Sequence, residues 1–113
     1  MSPDAATLLD IVIAARRIRS FIGSMTWDEF RVDLKTQSAV QHQLIVIGEA
    51  AKRLSVAFRD AHPSVAWSEI AGQRDVLTHA YHRVSVQRVW DSIAVDIPAL
   101  LAYVEPLVPR EES

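Results

Sequence analysis

The chain has 113 residues, half of them hydrophobic and 23% charged, with a formal net charge of −2. That is enough chain for one domain around one core, and it gives no global pull toward nucleic acid. The absence of cysteine excludes disulfides and thiolate metal sites, and only 3 glycines argue against a many-stranded β fold.

Apolar runs such as residues 44–47 are far too short to span a bilayer, so no membrane association is expected. The opening MSPDAATLL has no positively charged stretch ahead of a hydrophobic core and no clear cleavage pattern, so it is not expected to be a signal peptide. A cytoplasmic protein suits both facts and the lack of cysteine.

Ser2 followed by Pro3 predicts a helix start, a hydroxyl cap and then a proline where its missing N–H costs nothing. The helix should run to Phe21 or Ile22 and stop at Gly23. Its middle, LLDIVIAA, is apolar almost all round, which calls for cover on two sides, from the bundle and from a second subunit. Arg16, Arg17 and Arg19 sit at its C-terminal end, where cations complement the helix dipole.

Thr26-Trp27-Asp28-Glu29 matches a capping box, and a short amphipathic turn leads to Leu34. Val40, Leu44, Ile47, Ala51, Leu54 and Phe58 then trace one stripe at helical spacing, flanked by Gln43, Val46, Ala50 and Ala57. This predicts a single long helix ending near His62, ahead of Pro63. Ser64 or Ser68 should open a short helix carrying Trp67 and Ile70, with a break or bend at Gly72 and a resumed helix to about Val84. Ser85 caps the last helix, whose Val86, Val89, Trp90, Ile93 and Ile97 face inward. Pro98 predicts a kink near Asp96, followed by a second stretch over 99–107. The expected fold is all-α, an antiparallel bundle of four to five helices over residues 1–108 with a frayed tail at 109–113.

The stretch RDVLTHAY, residues 74–81, places a cation, an imidazole and a phenol together. Arginine offers a rigid fork for phosphate oxygens, and histidine can take a proton from a 2′-hydroxyl or give one to a leaving 5′-oxygen. Residues five apart on a straight helix point about 140° away from each other. Arg74 and His79 therefore converge only through the length of the arginine, a bent helix start after Gly72, or a two-fold partner. His79 and His82 are three apart with no acidic residue at a suitable spacing, so no metal and no other cofactor is expected. By residue type alone, Arg74 and His79 are more often a solvated face or a salt bridge, and Tyr81 a core-edge tyrosine with a wet hydroxyl.

Residues 74–81 resemble the R-x4-H-x-Y signature of the HEPN superfamily, specifically the HepT-like toxins encoded beside a minimal nucleotidyltransferase antitoxin called MntA. IGEAAKRLS (residues 47–55), WSEIAGQR (67–74) and VWDSIAVDIPAL (89–100) are similar to the same family, in the same order. The resemblance implies a symmetric homodimer with the two signature segments facing a shared cleft. It implies a metal-independent endoribonuclease that acts on RNA rather than DNA, the toxin of a type VII toxin–antitoxin pair. Arg74 would hold the scissile phosphate and His79 would be the general acid or base. Asp75, where relatives often have Asn, could orient either residue. Tyr81 matches the tyrosine to which the MntA-like partner transfers AMP, adding bulk and negative charge where RNA must enter. His82 and Arg83 depart from the relatives' pattern, as does Ser85 where Asp is frequent. Lys52, Arg53, His82 and Arg83 are candidate phosphate contacts, and Arg59 could line the cleft with them. Two other readings stand beside the ribonuclease: a non-catalytic partner and AMP acceptor of a nucleotidyltransferase, and a purely structural dimer.

Overall fold

The computed structural model describes residues 2–79 and 85–109, the side chains of Asp75, Thr78 and His79 excepted. Every regular element among the described residues is helical, as the sequence leads one to expect. The first half holds α1 (Pro3–Ile22), α2 (Trp27–Phe30) and α3 (Leu34–Arg53). The second holds α4 (Val56–Ala61), α5 (Trp67–His79), α6 (Val86–Asp91) and α7 (Ile97–Val104). A π-helical segment, Ser92–Asp96, joins the last two. No helix among the described residues is long and apolar enough to cross a membrane.

Local signals set most of the boundaries. Ser2 accepts from the N–H of Ala5 at 3.1 Å, and Gly23, at φ 52°, closes α1 by donating its N–H to the Arg19 carbonyl. Thr26 and Glu29 form the reciprocal capping box, with bonds of 2.9 and 3.3 Å. Asp33 caps α3 by accepting from the N–H of Thr36 at 3.0 Å. These N–H donors are the main reason that the Glu29 and Asp33 carboxyls are held below their ordinary range.

The single long helix expected to reach His62 is instead two. An extended Leu54 (φ −62°, ψ 139°) separates α3 from α4. The cause lies in α1. Asp4 accepts from both the N–H and the hydroxyl of Ser55, at 2.9 and 2.6 Å, while the Ser55 hydroxyl accepts from the N–H of Phe58 at 3.0 Å. A serine that caps a new helix and is gripped from another one outcompetes one more turn of α3. Leu54 still buries its side chain, so the apolar stripe survives the break.

Two further expectations are corrected. α5 opens at Trp67 rather than at Ser64 or Ser68, and it passes through Gly72 unbroken. Trp67 is buried and its indole N–H donates to the His62 carbonyl at 3.0 Å, which anchors the helix start. Nothing lies within 4 Å of where a Gly72 side chain would begin, so this glycine marks no close approach and no turn. The expected end of that helix, near Val84, lies outside the described residues. The kink ahead of Pro98 takes the form of the π-helical segment. Widening the preceding turn absorbs the missing N–H and the ring of the proline while the rod continues. Val89, Ile93, Ile97 and Leu101 therefore all face the core along one rod. Ser85 stands at the cap position of α6, but its side chain makes no capping bond.

The core is shared by α1, α3 and the α6–α7 rod. Ile11, Ile18, Val40, Ile47, Val89 and Val104 are all at most 2% exposed, each worth about 1.5–3 kcal/mol of burial. Asp4 meets Ser55 and Asp10 meets Arg53, so the start of α1 lies beside the end of α3 and the two run antiparallel. The apolar middle of α1 is largely covered by these neighbours, although Ile13 keeps 38% of its surface. Arg16, one of the basic triplet, pairs with Glu105 at 2.9 Å. Phe30 is fully buried, stacks near Trp90 at 5.1 Å, and has its carbonyl bonded by Gln37 at 2.8 Å, tying α2 into the bundle. α5 packs on α3 along one side. Its other side faces a cleft of about 1070 Å³ lined by Val76, Leu77, Val89 and Leu100, across which Gln73 donates to Ser92 at 3.1 Å.

Candidate active site around Arg74

α3 and α5 come into close contact where Gly48 meets Arg74. A Cβ built on Gly48 would overlap the Arg74 Cβ, so the absent side chain of the glycine is the space the arginine stem occupies. One residue along α3, Glu49 receives the head of the same side chain: Arg74 Nη2 donates to Glu49 Oε1 at 3.2 Å. The Arg74 side chain is 23% exposed and that of Glu49 44% exposed. The stem is thus enclosed between two helices while the guanidinium sits at their rim, held from α3.

His79 lies five places after Arg74 on α5, with the helix unbroken between them. Positions five apart on a regular helix are offset by about 140° around its axis. The bent helix start that could have brought them together is closed off, leaving the reach of the arginine or a second subunit. Asp75 lies on α5 beside Arg74, and its side chain is outside the described residues, as are Tyr81, His82 and Arg83 altogether.

Of the other candidate cations, Lys52 is exposed on α3, one turn beyond Gly48 and on the flank toward α5. Arg53 turns to the opposite flank, where its Nη2 pairs with Asp10 of α1 at 3.3 Å. Arg59 is half-buried on α4, in a separate hollow with Asp60, Pro63 and Trp67. The structure therefore groups Arg74 and Glu49 with Lys52 nearby, and it separates Arg53 and Arg59 from them.

Residues 11–107 match the family model described as ribonuclease HepT-like. The chain belongs to the ribonuclease HepT-like family. A Thermococcus cleftensis protein named as a candidate ribonuclease HepT is 40% identical over 100 residues, covering 88% of this chain and 91% of that one. A Methanocaldococcus jannaschii protein named as an RNase candidate is 38% identical over 108 residues, 96% of this chain and 89% of its own. A third, from Caldanaerobacter subterraneus and also named as an RNase candidate, is 35% identical over 91 residues, 80% of this chain and 81% of its own. No solved structure matches.

In this HepT-like chain, Gly48 and Glu49 are the residues that reading the sequence left without a role. Both lie inside IGEAAKRLS, where a glycine stands within a strongly patterned helix. A glycine tolerated inside such a helix usually has a packing reason, and that was the available signal. The identity of its neighbour, 26 residues away, required the fold.

Proposed function

We propose that the chain is an endoribonuclease of the HepT type, with Arg74 and His79 as its catalytic residues. The observation that carries this reading is the family match across residues 11–107, which contains the whole R-x4-H-x-Y stretch. The relatives named for ribonuclease activity align over most of both chains and support the same reaction class.

In the proposed step the ribose 2′-oxygen attacks the adjacent phosphorus as the P–O5′ bond breaks, leaving a 2′,3′-cyclic phosphate and a 5′-hydroxyl. Arg74 neutralises the phosphate oxygens as charge builds on them. His79 takes the 2′-hydroxyl proton or supplies one to the leaving 5′-oxygen. RNA is the substrate because its ribose carries the nucleophile. The divergence of the two residues on one helix favours a homodimer, in which a cleft would hold two copies of each. In the same proposal the protein is a toxin, restrained by an MntA-like nucleotidyltransferase. The Tyr81 oxygen would attack the α-phosphorus of ATP, pyrophosphate would leave, and the attached AMP would obstruct RNA.

The Arg74–Glu49 ion pair favours a second reading, in which the arginine is structural. Expression of wild type, Arg74→Ala and His79→Ala in bacteria, with RNA profiling, growth measurement and sedimentation of the purified proteins, separates the two. Loss of cleavage and toxicity in both variants, with the dimer intact, is the expected result. Cleavage retained in clean preparations of both would end the ribonuclease proposal. The switch has its own check: no mass gain on Tyr81 after co-expression with an active nucleotidyltransferase would remove it.

A further inference from the structure

We infer that Glu49 is a positioning residue for Arg74, fixing the plane of its guanidinium for an incoming RNA phosphate; this rests on the ribonuclease reading above. Two of the contacts that Arg74 makes bear on its direction. Its Cβ and Cγ fill the notch that Gly48 leaves on α3, so the stem has little room to change rotamer. Its Nη2 is bonded to Glu49 Oε1 at 3.2 Å. Because a guanidinium is rigid and planar, holding one nitrogen while the stem is clamped sets the direction of the whole fork.

A long side chain loses much rotamer freedom when it grips a phosphate, and a misdirected fork places its charge on the wrong oxygens. Holding it beforehand removes that loss from the reaction. The arrangement has an electrostatic cost, because the same carboxylate repels the phosphate that Arg74 is to receive. Glu49 is 44% exposed, so water screens that repulsion while leaving the hydrogen bond in place. Positioning should therefore appear in kcat and repulsion in KM, and the two can be moved independently.

The test compares Glu49→Ala and Glu49→Gln with wild type, using a short single-stranded RNA for turnover and its uncleavable 2′-deoxy counterpart for binding. Glu49→Ala removes the hold and the charge, and should lower kcat by about tenfold or more. Glu49→Gln keeps an oxygen acceptor for Nη2 and removes the charge. It should recover kcat to within about threefold of wild type, and lower KM and the dissociation constant for the deoxy strand by about threefold to tenfold. In parallel, side-chain NMR of Arg74 Nε–H should report restricted motion in wild type and Glu49→Gln and averaged motion in Glu49→Ala.

An alanine variant with wild-type kcat and an unchanged Arg74 signal overturns the inference. So does a glutamine variant as impaired in kcat as the alanine, which would make the carboxylate a proton carrier or a charge instead of a hold. A wild type that neither cleaves nor binds RNA would overturn the ribonuclease reading itself, and Glu49's role in reaction with it. Restricted Arg74 motion in that protein would then identify the ion pair as purely structural.

Discussion

Gly48 and Arg74 occupy one another's space: where α3 would carry a side chain, the Cβ and Cγ of the arginine on α5 are already present. Gly72, in the middle of α5, is the opposite case, with nothing within 4 Å of its missing Cβ. The two helical glycines should therefore respond to alanine with opposite signs. Gly48→Ala gains about 1 kcal/mol of helix propensity but inserts an atom into a filled notch beside the helix backbone, at about 1–3 kcal/mol or more. Gly72→Ala gains the propensity and meets no obstacle, so it should stabilise by about 0.4–1 kcal/mol. Urea unfolding of both variants decides the matter. A stabilised Gly48→Ala would mean that α3 and α5 are farther apart than described here.

Asp4 ties the first turn of α1 to the break between α3 and α4, and its carboxyl is held below the ordinary range. The Ser55 hydroxyl is the larger cause and the Ser55 N–H the next. A depressed folded-state pKa means stability that is fully present above the unfolded value and lost as pH falls through the folded one. Asp4→Asn and Ser55→Ala should each lower Tm at neutral pH. The gap to wild type should narrow as the solution is acidified past the ordinary carboxylate range. A gap that stayed constant down to strongly acid pH would show that the charge on Asp4 is not what matters.

Caps and stops were legible in the sequence because they act within a turn: Ser2 on Ala5, Thr26 with Glu29, Gly23 on Arg19. The break at Leu54 was not, because its decisive partner, Asp4, is 51 residues from Ser55 and the apolar spacing runs straight through it. Gly72 carried the wrong message for a related reason. A glycine signals a bend only when the backbone uses its freedom, and in α5 the backbone remains helical. Pro98 did announce a disturbance, yet residue type cannot distinguish a kink from a widened turn that keeps the rod continuous. At the site, Arg74 stood out by its likeness to a known signature. Its support from Gly48 and Glu49 depended on which two helices pack together, information that neither segment carries by itself.

His62 and Tyr103 clamp the connection after α4 to α7. The His62 Nδ1 and the Tyr103 hydroxyl are 2.8 Å apart, the rings meet edge-on at 5.8 Å, and Phe58 packs on the imidazole at 4.3 Å. Both residues are half-buried, so the lost bond is only partly replaced by water. Tyr103→Phe should destabilise by about 1 kcal/mol. His62→Ala should cost more, since it also removes the aromatic contacts. In a double-mutant cycle the two substitutions should couple by about 0.5–1.5 kcal/mol. Additive effects would show that the bond does not hold this connection in solution.

Arg74→Lys tests whether the arginine works as a shaped fork or only as a charge. Lysine keeps the cation and can still reach Glu49, so the packing of α5 on α3 should survive with a similar Tm. What it loses is the planar pair of donors that can bind two phosphate oxygens at once, and the rigidity that lets one bond to Glu49 orient the others. Affinity for the 2′-deoxy strand at low salt is mostly a matter of net charge and should change little. Turnover should drop by about tenfold to a thousandfold, because the geometry counts most when charge builds on the phosphate oxygens. Assays of cleavage and binding on one preparation would show the split. Equal losses in both would mean that Arg74 recruits RNA without shaping the transition state.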